Sequence, residues 1–123
     1  MSYLVQYAVR RPTPPGPARR GARVDERLVL NRHKFDGGAY VRVFVEDTSG
    51  RKRRFRHTPP SPRLRLQVAD CAHEVNLEFS VDSAELRENA LFKIDTLLGA
   101  LTRFRDGLAA EAELHAQREL ERR

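Results

Sequence analysis

The feature that most constrains what this chain can fold into is a change of hydrophobic period at Asp82. Before it, apolar residues recur at every second position: Tyr3, Val5, Tyr7 and Val9, then Val41, Val43 and Val45, then Leu64, Leu66 and Val68, then Val75, Leu77, Phe79 and Val81. After it they recur every three or four. Leu86, Ala90, Leu91, Ile94, Leu97, Leu98, Leu101, Phe104, Leu108 and Ala112 fall within an arc of about 140° on a helical wheel. Period two puts alternate side chains on opposite faces of a strand, and a period of 3.6 puts them on one stripe of a helix. The sequence therefore predicts an α+β fold: a largely antiparallel five- or six-stranded sheet with one long C-terminal amphipathic helix packed across one face.

The breaks between the periodic runs set the expected elements. Strands are predicted at 3–9, 23–32, 39–46, 51–57, 63–68 and 74–81, in a single domain of 123 residues whose first 81 form the strand region. Residues 11–22 carry four prolines and two glycines among arginines, which removes backbone donors and predicts a mobile basic loop. Turns are expected at Asp36-Gly37-Gly38, at Asp47-Thr48-Ser49-Gly50 and from Asp70 to His73. In the second of these Asp47 can accept from its own backbone two residues on, and the 51–57 strand is expected to pair back on the third. Asp82 and Glu85 form a D-x-x-E capping box at the helix start. A helix unbroken from there to Arg122 would run about 60 Å, twice the roughly 30 Å expected of the strand region, so either Gly107 breaks it or its tail finds another chain. Phe92, on the side away from the apolar arc, and Leu114 and Leu120 in the tail are the expected oligomer contacts.

Charge divides with the fold. Residues 1–66 hold 16 Lys/Arg against 5 Asp/Glu (+11), and residues 67–123 hold 7 against 12 (−5), giving the net +6. A basic surface is a statement about partners. The densest part is Arg51-Lys52-Arg53-Arg54-Phe55-Arg56-His57, in which cations could meet successive phosphates while Phe55, with Phe44 and Tyr40, stacks on bases. The competing reading is an edge strand kept from wrong pairing by its charges. Arg19, Arg20 and Arg23 form a second cationic arm, and Arg11-x-x-Pro14-x-x-Pro17 has the spacing of a polyproline ligand within a segment more simply read as solvated loop. Arg63 and Arg65 are expected to pair with Glu74 and Glu78 of the following strand rather than to extend the patch.

Catalytic chemistry finds no such concentration. His33, His57, His73 and His115 lack metal-ligand spacing, so no cofactor or metal is expected. The single cysteine, Cys71, is read as a small buried residue, and neighbouring positions in Cys71-Ala72-His73 point apart, which argues against a thiolate and base. Arg19-x-x-x-Arg23 followed by Asp47-x-Ser49 is similar to the PilZ cyclic-dinucleotide pattern, but Lys52 stands where that pattern closes on glycine, and no assignment is made on it. The N-terminus alternates polar and apolar residues, unlike a signal peptide, and no apolar run is long enough for a membrane, so a cytoplasmic protein is expected.

Two functions follow as expectations. The first is a non-catalytic, oligomeric binding protein whose basic strand and arm engage a polyanion, nucleic acid being the commonest. The alternative is a small adaptor, inhibitor or assembly subunit that binds an acidic protein partner and oligomerises through its C-terminal helix. An enzyme would need ionisable groups brought together from distant positions.

Overall fold

The computed structural model describes residues 21–35, 37–50 and 61–123. They form four strands, β1 (Ala22–Val29), β2 (Tyr40–Glu46), β3 (Leu64–Asp70) and β4 (His73–Leu77), and one helix, α1 (Ala84–Arg122). The strands make one antiparallel sheet in the order β1-β2-β3-β4. The α+β class stands, with four strands among the described residues where five or six were expected of the chain. The strands expected at 3–9 and 51–57 lie outside the described residues, as does the basic loop up to residue 20. The hydrogen bonds of β2 go to β1 on one side and β3 on the other. β1 stops at Val29, short of the expected Arg32, and β4 stops at Leu77, short of Val81.

Alternation along β2 sorts the sheet into two faces. On one, the pairing brings together Val24, Val45 and Leu64, then Glu26, Val43, Leu66 and Leu77, then Leu28, Val41, Val68 and Val75. This is the apolar face, and all of its residues keep partial exposure. The other face carries Asp25, Phe44 and Arg65, then Arg27, Arg42, Gln67 and Asn76, then Val29, Tyr40, Ala69 and Glu74. Among the described residues the buried apolar side chains are three alanines, Ala39, Ala69 and Ala109.

The connections are closed by specific bonds. The N–H of Leu30 donates to the carbonyl of Ala39 at 2.8 Å and closes the β1–β2 hairpin, within which Asp36 lies outside the described residues. Asp70 and His73 pair across the two-residue tip Cys71-Ala72, where Cys71 adopts φ 56°, a left-handed conformation usually left to glycine. That position corrects the expectation of a buried cysteine. Cys71 is exposed, because a hairpin tip has nothing beyond it to pack against.

The chain divides into two compact units at Ala90/Leu91, the sheet in one and most of α1 in the other. The helix cap is shifted by one residue from its expected place. Ser83 Oγ accepts the N–H of Leu86 at 3.1 Å and the Ser83 carbonyl accepts the N–H of Arg87 at 2.9 Å, so Ser83 is the N-cap. The Asp82 carboxylate instead accepts the Ser61 hydroxyl at 2.9 Å. Arg87 turns back to donate to the carbonyl of Val81 at 3.1 Å, and Arg122 sits in the last turn, where a cation suits the negative end of the helix dipole.

Gly107 does not break the helix, which runs unbroken for 39 residues, roughly 58 Å at the usual rise. A glycine inside a helix costs backbone entropy without offering a side chain, and a Cβ at Gly107 would meet nothing within 4 Å. Gly107→Ala is therefore expected to stabilise the protein by about 0.5–1 kcal/mol, read as a higher denaturant midpoint at unchanged slope. A destabilised variant would mean that Gly107 serves a contact with another chain.

Candidate nucleic-acid interface

The polar face of the sheet gathers aromatic and cationic side chains because Tyr40, Arg42 and Phe44 alternate outward from β2. Pairing then sets Arg27 of β1 against Arg42, and Arg65 of β3 against Phe44. The guanidinium of Arg27 lies over the Tyr40 ring, 4.1 Å from its centroid, and that of Arg63 lies 5.5 Å from the centroid of Phe44. Both are within cation–π range, which holds an arginine over a ring without neutralising its charge. Arg42, Phe44, Arg63, Leu64 and Arg65 line an open cavity of about 330 Å³. That volume is at the small end of the roughly 300–1,000 Å³ range of ligand sites.

The counter-charges lie mainly at the ends of this face. Glu46, buried at the end of β2, accepts the N–H of Arg63 at 2.9 Å and meets its guanidinium at 3.9 Å. Asp25 stands across from Phe44 on β1, and Glu74 on β4 accepts the amide of Gln67 at 2.9 Å. The expected pairing of Arg63 and Arg65 with Glu74 is thereby corrected, whereas Glu78 lines one cavity together with Arg65. Register sets Glu74 against Ala69, four residues from Arg65, and the partner of Arg63 is Glu46. Among the described residues ion pairs engage Arg23, Arg63 and His115, and Arg27, Arg42 and Arg65 gather on the central part of the face.

The residues singled out from sequence fare unequally. Arg51, Lys52, Arg53, Arg54, Phe55, Arg56, Arg19 and Arg20 lie outside the described residues. Arg23 is placed, in an irregularity of the β1–β2 pairing, and its guanidinium meets the Asp47 carboxylate at 3.2 Å, so its charge is engaged within the chain. Phe92 and Leu120 are exposed, at 71% and 67%, and Leu114 is half-buried. Sequence reasoning named Tyr40 and Phe44 as stacking surfaces but passed over Arg27 and Arg42, whose alternation signal was present and whose neighbours were not. Among the described residues there is no group of three or more His, Cys, Asp or Glu that could hold a metal ion, and no helix is long and apolar enough to cross a membrane. No family model matches the chain, and no curated protein or solved structure matches it.

Beside this face, the turn after β2 forms as expected. Asp47 accepts the Ser49 N–H at 2.9 Å, and its own N–H donates to the carbonyl of Gly21, whose φ of 84° suits glycine. The Ser49 hydroxyl, then the Ser49 N–H and the Arg23 charge, lower the pKa of the Asp47 carboxyl. A depressed folded-state value means stability that is present above the unfolded carboxylate pKa and fades as pH falls through the folded one. Ser49→Ala should raise the Asp47 midpoint toward the ordinary carboxylate value in a carboxyl-carbon NMR titration. An unmoved midpoint would assign the shift elsewhere.

Proposed function

We propose that this chain is a non-catalytic binding protein whose basic sheet face takes single-stranded nucleic acid. The observation that carries the reading is the pairing of two aromatic rings with guanidinium groups on one sheet face, around a cavity lined by Arg42, Phe44, Arg63 and Arg65. Sheet-based single-strand binders work with these parts: bases stack on rings or on guanidinium planes, and cations track the phosphates. An arginine already held over a ring can yield that face to a base and turn its charge to the adjacent phosphate. A duplex, whose bases are stacked on each other, offers this face only its phosphates. The Arg51–Arg56 run, which follows directly on the turn after β2, is proposed as the further cationic contribution to the same ligand.

Fluorescence anisotropy with labelled oligonucleotides tests this. Single-stranded DNA or RNA should bind more tightly than duplex, with affinity falling steeply as salt rises. Phe44→Ala should weaken single-strand binding by about tenfold, the scale of one lost base stack. Arg65→Ala should weaken it for all sequences and lower the salt slope by about one. Negligible binding of the unaltered protein to every oligonucleotide at about 50 mM salt would overturn the reading, and capture of an acidic protein without nucleic acid would favour the adaptor alternative.

A further inference from the structure

The apolar residues of α1 between Leu91 and Leu108 are unusual in both spacing and exposure. Leu91, Leu98, Leu101 and Leu108 are all more than half exposed, at 65%, 55%, 53% and 57%, although each belongs to the stripe on which the amphipathic pattern rests. Together with Ile94 and Arg105 they follow steps of three, four, three, four and three residues. That is a 3.5-residue repeat, in which the first, third and fifth members occupy the a positions of heptads and the others the d positions. A strict 3.5 repeat makes a narrow seam suited to a second helix.

The order of residues along this seam decides which helix. It is self-complementary about the point between Leu98 and Leu101. Turned end over end, a copy sets Leu98 against Leu101 and Leu91 against Leu108, and sets Arg105 against Ile94, whose neighbour at the flanking e position is Asp95. Two-fold symmetry requires that if one residue meets another, the second meets the first in return, and this sequence meets that requirement twice for its leucines and twice for its Arg105–Asp95 approach. A parallel pairing in register would instead oppose two Arg105 guanidiniums within the seam, where like charges repel in a partly dry interface. Both Arg105 and Asp95 are exposed.

We propose that Leu91, Ile94, Leu98, Leu101, Arg105 and Leu108 form an antiparallel two-helix interface between two copies of this chain. The interface is independent of what the sheet face binds. It also differs from the contacts that sequence reasoning nominated: Phe92 lies off the seam, and Leu114 and Leu120 lie beyond its end.

Two experiments on the full chain test it, both carried out in a Cys71→Ser background so that the exposed native thiol takes no part. In the first, Leu91→Cys and Leu108→Cys proteins are oxidised separately and as a mixture. The antiparallel interface gives a disulfide-linked dimer in the mixture and none in either protein alone. Linkage within each single variant, or none in the mixture, overturns the arrangement. In the second, sedimentation equilibrium follows dimer dissociation. Arg105→Asp and Asp95→Arg should each weaken the dimer by about tenfold, and the double charge swap should restore it. A protein that stays monomeric at about 100 μM, or a swap that restores nothing, overturns the proposal.

Discussion

The register of β2 between its two neighbours is the constraint on which the rest of the sheet depends. Each residue of β2 from Tyr40 to Val45 has a partner on β1 and another on β3, so a slip of one position would exchange the faces of the sheet. Val41, Val43 and Val45 would turn to the polar side, and Tyr40, Arg42 and Phe44 to the apolar one. That exchange would set three valines among the charges and an arginine among the aliphatic side chains, which disfavours it. Pairing is pinned at both ends of the strand: the Leu30–Ala39 bond closes one hairpin, and at the other end Glu46 holds Arg63 through backbone and carboxylate at once. The cation–π pairs of Arg27 with Tyr40 and Arg63 with Phe44 exist because this register brings residues far apart in sequence side by side.

Most of this was written in local pattern, and what was missed is non-local. Alternation alone separated Tyr40, Arg42 and Phe44 from Val41, Val43 and Val45, and alone sufficed to predict β3 with Leu64 and Leu66 on one face. The Asp47 turn was legible because its bond to Ser49 spans two residues. The helix start was misplaced by one residue because Asp82 is drawn to Ser61, twenty-one residues away, and a capping pattern contains no information about so distant a competitor. Glu46 was missed as the partner of Arg63 for the same reason: cross-strand chemistry was assigned to the acids of the strand that follows Arg63, while the acid that reaches it belongs to the strand before. Gly107 was weighed as a breaker, but thirty-eight other residues of good helical pattern outweigh the roughly 1 kcal/mol that one glycine costs.

The charge division along the chain also reads differently once the pairs are known. Arg23 and Arg63, counted among the cations of the basic half, are held by Asp47 and Glu46 of that same half, so part of its excess is spent locally. Glu74 of the second half does not quench it in the manner expected, since it is engaged with Gln67. What is left on the described sheet is concentrated rather than diffuse: Arg27, Arg42 and Arg65 on one face, with two aromatic rings among them. A diffuse excess would steer any polyanion toward the protein, whereas cations fixed beside rings discriminate in favour of one with exposed bases.

The two proposals bear on each other through affinity. One sheet face with a pair of rings and three arginines offers few stacks and few phosphate contacts, each of modest strength, so a single copy is expected to hold a strand weakly. A second copy joined through α1 brings a second such face into the same assembly. A strand long enough to reach both would then bind its second face intramolecularly, at an effective concentration set by the tether rather than by the solution. A strand too short to span them would gain nothing. Dependence of affinity on oligonucleotide length, lost when Arg105→Asp separates the copies, would therefore follow from joining a weak face to a self-complementary helix, without any additional contact on either.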